Sequence, residues 1–206
     1  MLDAVNRIVA VEDASFRMVL PNRELVETAL LVCAKQLDLK MGRSEEAGEL
    51  RVTGLMKKAT AQFQIQVGHL DAALRSATIA IASTGTVTME CALFNVPTVA
   101  LYKTSWSTYQ IGKRIVTVKH LAMPNLLADE MVFPEFVQDA ATGEKIAEAA
   151  VDVLRHPSAR GEIQSKLGEI IASLGAAGAN VRAAKAVWSL LGRGGRGSET
   201  AKVAAR

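Results

Sequence analysis

The sequence predicts an α/β fold built on a parallel, doubly wound sheet. Residues 78–82 and 97–102 are two apolar runs of strand length, as expected for central parallel strands that are covered on both faces. A segment of helical character, residues 87–94, lies between them. Strands that alternate with helices in this way indicate a doubly wound sheet, in which ligands bind beyond the carboxyl ends of the strands.

The other elements follow from hydrophobic periodicity and from helix breakers. Residues 16–20 and 62–67 are predicted strands, and Gly68 ends the second. Residues 37–50 are weakly patterned and predict a strand and a loop, whereas Pro124 and Pro134 predict that residues 119–134 are irregular. Helices are predicted over residues 2–9, 22–35 (capped by Asn22), 70–76, 107–115, 143–155, 158–173 and 179–191.

The order of these elements predicts an incomplete sheet. The first element is a helix rather than a strand, so the first strand of the doubly wound sheet is predicted to be missing. A bare sheet edge invites pairing with another chain, and we therefore expect dimerisation or poor solubility. Residues 1–191 are predicted to form one domain, and residues 192–206, rich in glycine and arginine, a disordered tail.

Composition and charge argue against several classes of function. Half of the 206 residues are hydrophobic, and the net charge is only +3. This charge is too small and too scattered to indicate a nucleic acid partner. No stretch approaches the ~20 apolar residues that span a bilayer, and the first residues do not form a signal peptide, so a cytoplasmic protein is predicted. Contact with a membrane surface needs no spanning segment and stays compatible with the sequence.

The cysteines and histidines do not indicate a metal site or a disulfide framework. Cys33 and Cys91 lie far apart in apolar surroundings, which predicts two reduced thiols in the core. The three histidines, His69, His120 and His156, do not stand at the spacing of metal ligands. We therefore predict no metal.

The segment between the apolar strand and the following helix is the first candidate site. Thr84, Gly85 and Thr86 are small or hydroxyl-bearing residues that allow backbone N–H groups to approach an anion closely. The start of the helix adds unpaired donors and the positive end of the helix dipole, which suit a diphosphate. The same residue types also cap ordinary helices, and from the residues alone both interpretations stay open.

Glu90 stands inside the helix that follows this loop. A carboxylate there would repel a diphosphate that it faced, but it could accept hydrogen bonds from both hydroxyl groups of a ribose beside the diphosphate. A surface glutamate with no ligand is the alternative.

Several segments together resemble one enzyme family. Thr84-Gly85-Thr86 through Glu90 is followed by Cys91-Ala92-Leu93, Val96-Pro97 and Lys113-Arg114-Ile115-Val116, and then by Met123-Pro124-Asn125-Leu126-Leu127-Ala128 and Pro134-Glu135-Phe136-Val137-Gln138. In this order the segments resemble the donor-site signature of the lipid-A-disaccharide synthase family, and the resemblance extends to about residue 191.

The resemblance implies the C-terminal, donor-binding domain of a GT-B glycosyltransferase, a fold of two Rossmann-like domains that face each other across a cleft. The donor would be a UDP-linked diacylglucosamine and the acceptor a lipid monosaccharide. The products would be the β-1,6-linked lipid A disaccharide precursor and UDP. No metal or other cofactor is expected, because helix N-termini and basic side chains stabilise the departing diphosphate.

The resemblance also implies roles for individual residues. Thr84, Gly85 and Thr86 would hold the diphosphate and Glu90 the ribose, and three further residues would line the donor site: Lys103, Asn125 and Gln138. A solvated lysine at a strand end and an asparagine that merely shapes a loop are the alternatives for Lys103 and Asn125.

Two departures from the family pattern qualify this interpretation. Asp129-Glu130 stands where the family has a glycine and a basic residue, so a basic contact at that point is not expected. Family members also carry a strand, a Gly-Ser-Arg loop and an acceptor-binding N-terminal domain ahead of the segment that this chain resembles. The resemblance therefore implies a fragment that lacks the first strand and the N-terminal domain, is inactive alone, and leaves the catalytic residues in the absent part.

Two alternatives remain at this stage. The first is a stand-alone UDP-sugar-binding module without turnover. The second is another GT-B enzyme, such as an N-acetylglucosaminyltransferase or a UDP-sugar epimerase, which would share the loop and Glu90 but not Pro124-Asn125-Leu126-Leu127-Ala128.

Overall fold

A computed structural model describes residues 1–37, 39–46, 49–56, 61–105, 108–109, 118–176 and 178–194. The chain forms two compact units, Met1–Ile171 and Ala172–Arg206. All of the strands and most of the helices described below belong to the first unit.

The first unit alternates strands and helices along the chain. Its elements are α1 (Leu2–Val9), β1 (Phe16–Leu20), α2 (Leu25–Leu37), β2 (Leu39–Glu46), β3 (Glu49–Met56), β4 (Gln62–Val67), α3 (Leu70–Ser76), β5 (Ala80–Ser83), α4 (Thr86–Leu93), β6 (Thr98–Tyr102), α5 (Met123–Ala128), β7 (Glu135–Val137), a 3₁₀ turn (Gln138–Ala140) and α6 (Gly143–Arg155). The helix α7 (Pro157–Ser173) runs into the second unit, which also contains α8 (Ala179–Gly194).

The strands form two sheets rather than one. The first has the order β1-β4-β3-β2, in which only β1 and β4 are parallel to each other; the second has the order β5-β6-β7 and is parallel throughout. The α/β class and the parallel, Rossmann-like sheet are therefore confirmed, and the structure adds two antiparallel strands, β2 and β3, beside β4. In a doubly wound sheet of order 3-2-1-4-5-6, β4 and β1 match positions 3 and 2, and β5, β6 and β7 match positions 4, 5 and 6. No strand of the described residues occupies position 1, between β1 and β5.

The hairpin of β2 and β3 is an addition that the sequence did not reveal. Residues 37–50 were expected to form a strand and a loop, but they contribute to two antiparallel strands, and β3 continues antiparallel onto β4. In β3, Val52 is buried and its neighbour Thr53 is exposed. A strand with only one covered face lacks the continuous apolar run that marks a central strand, which is why the prediction missed it.

Most of the predicted helices are present with small shifts of their ends. Asn22 Oδ1 accepts a hydrogen bond from Leu25 N at 3.3 Å, as expected of the predicted cap, and the regular helix extends over Leu25–Leu37. Within residues 119–134, expected to be irregular, α5 forms because Pro124 lies in its first turn, where no intrahelical N–H bond is needed. The last helix continues to Gly194, three residues beyond its predicted end. The helix predicted over residues 107–115 falls almost entirely outside the described residues.

Helices cover both faces of the three-stranded sheet. On one face, Ala4 and Ile8 of α1 and Ile146 and Ala150 of α6 pack around Val99 of β6. On the other face, a second cluster joins α3, α4 and α7 through Leu74, Cys91, Ala92, Leu167 and Ile170. This double cover explains the apolar runs from which the parallel sheet was predicted.

The helices α1 and α6 run side by side in the same direction. At one end, Asp3 approaches Gly143 so closely that a methyl group on Gly143 would overlap with the aspartate side chain. At the other end, Arg155 bonds to the Glu12 carboxylate and the Val11 carbonyl. The two cysteines, Cys33 and Cys91, are free thiols buried in the core, as predicted, and burial raises the pKa of both. Among the helices that the structure describes, none is long and apolar enough to cross a membrane.

Candidate functional site

Three loops meet at the carboxyl edge of the three-stranded sheet. They follow β5, β6 and β7 and carry Thr84–Thr86, Lys103 and Gln138 respectively. The carboxyl ends of adjacent parallel strands lie at the same edge, so the fold brings most of the predicted donor-site residues together. Glu90 and Asn125 lie on the helices α4 and α5 beside this edge.

The loop after β5 has the backbone of a tight strand-to-helix turn. Thr84 N donates to Leu101 O at 2.8 Å, which prolongs the pairing of β5 with β6 by one residue. Gly85 then adopts φ 129° and ψ −160°, a conformation that L-residues rarely adopt. A Cβ atom there would meet nothing within 4 Å, so conformation rather than space requires the glycine. The exposed Thr86 begins α4.

The start of α4 suits a bound anion. The first N–H groups of an α-helix have no intrahelical acceptor, and the helix dipole adds positive potential there. Thr88 N and Oγ1 donate to Gly85 O at 3.1 Å and 2.7 Å, and no described hydrogen bond uses the amides of Thr86 and Val87, which precede Thr88 in the first turn.

Thr88 is a positioning residue that sequence reasoning missed. It is fully buried, and its Oγ1 also accepts a hydrogen bond from Met123 N at 3.2 Å. Thr88 therefore ties the start of α5 to the Gly85 turn. The available signal was its spacing, because a threonine three residues after a turn glycine can bond back to the glycine carbonyl.

Glu90 is exposed on the second turn of α4. Its side chain makes no hydrogen bond or ion pair with any residue that the structure describes. The carboxylate is therefore available to a ligand beside the Gly85 turn, as the ribose hypothesis requires.

Gln138 and Lys103 are linked through Thr104. Gln138 Oε1 accepts from Thr104 N at 2.8 Å, and Gln138 Nε2 donates to Thr104 O at 3.1 Å. Gln138 is buried and holds φ 52°, an uncommon conformation that these two bonds help to stabilise. The carboxamide thus fixes the loop after β6, and the neighbouring Lys103 is exposed at the edge of the sheet.

Asn125 is fully buried and its side-chain amide is engaged on both atoms. Oδ1 accepts from Val132 N at 3.0 Å and Phe133 N at 2.7 Å, while Nδ2 donates to Phe133 O at 2.8 Å and to Glu135 Oε2 at 3.1 Å. Asn125 therefore closes the turn between α5 and β7, and its predicted contact with a donor remains a prediction.

Glu135 is a second residue whose importance the sequence did not reveal. Its side chain is only 7% exposed, and its oxygens accept from Leu121 N at 3.0 Å and Ala122 N at 2.9 Å as well as from Asn125. His120 Nδ1 lies 3.7 Å from Glu135 Oε1. A carboxylate inside the otherwise apolar stretch of residues 132–137 was the available signal.

The structure gives a local reason for the departure at Asp129-Glu130. Asp129 ends α5 at φ 50° and ψ 28°, the left-handed conformation in which glycine is favoured. Glu130 forms an ion pair of 2.6 Å with Lys166 of α7, a contact that a basic residue at position 130 would replace with repulsion.

A parallel sheet covered on both faces, with a glycine turn and a helix start at its carboxyl edge, defines a Rossmann-like α/β domain. A family model described as lipid-A-disaccharide synthetase matches residues 23–187. The match covers most of the chain, and the chain belongs to this family.

Curated relatives agree with the family match over part of their length. A lipid-A-disaccharide synthase of Geobacter sulfurreducens is 39% identical over 113 residues, which are 55% of this chain and 29% of the relative. One of Nitrosococcus oceani is 41% identical over 96 residues, or 47% of this chain and 25% of the relative. One of Alkalilimnicola ehrlichii is 34% identical over 135 residues, or 66% of this chain and 35% of the relative. The chain thus spans about a third or less of the relatives it matches.

Proposed function

We propose that this chain is the donor-binding part of a glycosyltransferase of lipid A biosynthesis. The complete enzyme would transfer diacylated glucosamine from UDP to a lipid monosaccharide and release UDP. The observation that carries the proposal is the convergence of the Gly85 turn, the start of α4 and Lys103 at one sheet edge, in a chain of the lipid-A-disaccharide synthetase family.

In the proposed donor site, some residues contact the ligand and others hold the backbone in position. The diphosphate lies against Thr84, Gly85 and Thr86, where backbone donors and the helix dipole favour negative charge. Glu90, one turn further along α4, accepts from the ribose hydroxyls, and Lys103 adds positive charge at the neighbouring strand end.

Gln138 and Asn125 act in this proposal through the backbone that they hold. Gln138 fixes Thr104 and so orients Lys103, and Asn125 with Glu135 shapes the segment that leads into β7. Both residues are buried, which is typical of side chains that position a site rather than contact a ligand.

The chemistry that these residues can supply is stabilisation of the leaving group. As the glycosidic bond to the sugar breaks, negative charge accumulates on the UDP diphosphate, and fixed N–H dipoles with a lysine stabilise that charge without a metal. The acceptor and the catalytic base would come from residues outside this chain, so we expect no transfer by the chain alone. We also expect a cytoplasmic location with peripheral contact to the membrane that holds the lipid substrates.

A UDP-sugar-binding module without turnover is the second candidate. It is favoured by the fact that all three loops of the proposed site lie within this chain, so that binding requires no other part. Supplying the N-terminal part of a relative and measuring transfer separates the two, because a module without turnover would bind donor yet never support transfer.

The first test is calorimetric titration with UDP. We expect micromolar to low-millimolar binding, with UMP weaker than UDP because it lacks the second phosphate. The variant Glu90→Ala should bind UDP about tenfold more weakly, since a hydrogen bond to a charged group contributes about 1.5–3 kcal/mol. Glu148→Ala, an exposed glutamate on α6, is the matched control and should bind as the parent does. A well-folded parent chain that does not bind UDP would contradict the proposed site.

A further inference from the structure

The helix α5 presents one exposed face that is wholly apolar. Met123, Leu126 and Leu127 are 38%, 42% and 50% exposed. Pro124 and Asn125, which lie between them in the sequence, are buried. Residues three and four positions apart in a helix lie on the same face, so the three exposed side chains form one surface, which we call the α5 face. Exposed apolar side chains that adjoin one another, rather than standing singly, are typical of a binding surface.

The α5 face begins directly beside the Gly85 turn. Thr88 Oγ1 donates to Gly85 O at 2.7 Å and accepts from Met123 N at 3.2 Å. A single hydroxyl group thus joins the turn to the first residue of α5. Leu126 and Leu127 follow on the same helix, which is about 9 Å long at 1.5 Å per residue. The α5 face therefore starts at the proposed position of the diphosphate and continues along the helix.

The proposed contact to the ribose and the helix α5 lie on different sides of α4. Thr88 is fully buried, whereas Glu90 is exposed. Residues two positions apart stand about 200° apart around a helix of 3.6 residues per turn. A ribose at Glu90 and the helix α5 at Thr88 therefore flank the start of α4 from opposite directions. The sugar, which is attached to the other end of the diphosphate, would then lie beside the α5 face.

The chemistry and the size of the α5 face suit an alkyl chain. Its three side chains carry no charge, and the acidic residues that follow the helix are paired. Asp129 lies 3.1 Å from Lys119, and Glu130 forms the 2.6 Å ion pair with α7. Three side chains on a six-residue helix are too small a surface for a stable protein interface, which needs about 800 Å² from each partner. Methionine, with its flexible thioether, adapts readily to a ligand of this kind.

We propose that the α5 face binds a fatty acyl chain carried by the sugar of a nucleoside diphosphate that is held at the Gly85 turn. The turn and the start of α4 attract the anionic part of such a ligand, and the α5 face removes its apolar part from water. The inference rests on the proposed function and deepens it, because it assigns the residues that distinguish an acylated donor from a plain one.

The test is calorimetric titration of the full chain with UDP-N-acetylglucosamine and UDP-N-lauroylglucosamine, both below the concentration at which the lauroyl compound forms micelles. We expect the lauroyl compound to bind at least tenfold more tightly, because its longer chain buries more apolar surface. UDP is titrated on the same sample. Failure of UDP to bind would contradict the proposed function and this inference together. Binding of UDP with equal affinities for the two acylated compounds would overturn this inference alone.

Variants show whether the gain in affinity arises at the α5 face. The double variant Leu126→Ser/Leu127→Ser should lose the preference for the lauroyl compound, and its affinity for UDP reports whether the donor site is still folded. Leu31→Ser, at a leucine of α2 that is 73% exposed, is the matched control and should keep the preference. A preference that survives in the double variant would overturn the proposal.

Methyl NMR of the methionine-labelled parent chain keeps the proposal testable if the double variant misfolds. The Met123 methyl signal, identified by its loss in Met123→Leu, should shift with the lauroyl compound more than with the acetyl compound. The Met18 signal, from β1, serves as the reference and should respond equally to both compounds. A Met123 signal that does not distinguish the two compounds would overturn the proposal.

Discussion

At the scale of single residues, Asn125 shows how one buried amide can determine the course of a whole loop. Its side chain satisfies two backbone N–H groups and one carbonyl in the turn before β7, and it donates to the Glu135 carboxylate. Glu135 in turn accepts the N–H groups that precede α5. Each side chain completes the hydrogen bonding of a segment that has no regular structure of its own.

Replacing Asn125 should therefore be costly. We expect Asn125→Ala to lower the free energy of unfolding by about 2–4 kcal/mol, because it leaves buried N–H groups without an acceptor. Urea denaturation measures this change. A loss of less than about 1 kcal/mol would mean that water replaces the amide at little cost.

The near-isosteric variant Asn125→Asp provides a control with a defined pH dependence. The introduced carboxyl group would lie buried beside Glu135, and both burial and like charge raise its pKa in the folded chain. The destabilisation should be full above that raised pKa and should shrink as the pH falls toward the ordinary value of about 3.9. Urea midpoints at pH 7 and pH 5, each compared with the parent chain, test the sign.

Asp129 allows a test of backbone strain at the end of α5. An L-residue in the left-handed conformation costs roughly 1 kcal/mol that glycine avoids. The ion pair of Asp129 with Lys119 is largely exposed and should contribute little. We expect Asp129→Gly to raise the urea midpoint and Asp129→Ala to lower it. The opposite order would show that the aspartate side chain, rather than the backbone, stabilises this turn.

At the scale of elements, the glycines on α6 and α7 have opposite roles. Gly143 allows α1 to approach α6, whereas Gly161 and Gly168 on α7 have open space where a Cβ atom would lie. Glycine inside a helix is generally about 0.5–1 kcal/mol less stable than alanine. The effect of the same substitution should therefore depend on what the new methyl group meets.

Alanine substitutions at these positions test this difference. We expect Gly143→Ala to destabilise the chain by about 1–3 kcal/mol, because overlap with Asp3 forces α1 to shift. Gly161→Ala and Gly168→Ala, the matched controls, should each stabilise it by up to about 1 kcal/mol. Thermal melts of the three variants give the comparison. If Gly143→Ala is as stable as the controls, the close approach of the two helices is not required.

The sequence predicts the elements whose signals are local, and it misses those that depend on residues distant in the chain. The bounds of β1 and β4 follow from short apolar or alternating runs, and the Gly85 turn follows from a glycine that stands between an apolar strand and a helical segment. The β2–β3 hairpin has only one covered face, so its strands lack a continuous apolar run. The helix α5 contains Pro124 and Asn125, residue types that are typical of breaks and loops. The local sequence pattern therefore reveals neither element. Glu135 and Thr88 matter through partners more than 10 residues away in the chain, which periodicity does not report.

At the scale of the whole molecule, the two thiols report on the integrity of the core. Cys33 and Cys91 are almost fully buried, so thiol reagents should reach them only when the chain unfolds. We expect reaction with Ellman's reagent to be slow in buffer and fast in denaturant. Fast reaction of one thiol in buffer would reveal local opening around that residue.

The raised pKa of these thiols also predicts how stability depends on pH. For both cysteines burial is the first cause of the shift, so the folded chain holds the thiol protons more tightly than the unfolded chain does. The contribution to stability is present below the ordinary thiol pKa of about 8.5 and is lost as the pH rises above it. The double variant Cys33→Ala/Cys91→Ala should therefore lose less stability than the parent between pH 7 and pH 9.5. Equal losses would show that other groups dominate in this range.

The division of the strands into two sheets has a consequence for how the molecule opens. Because no described backbone hydrogen bond connects β1 with β5, the four-stranded and three-stranded sheets can separate without breaking a strand ladder. Each sheet should then open as a cooperative whole, with its own free energy of opening in native-state hydrogen exchange. The free energies of opening measured at the amides of β5 and β6 would share one dependence on denaturant concentration, and those measured at the amides of β1 and β4 would share another.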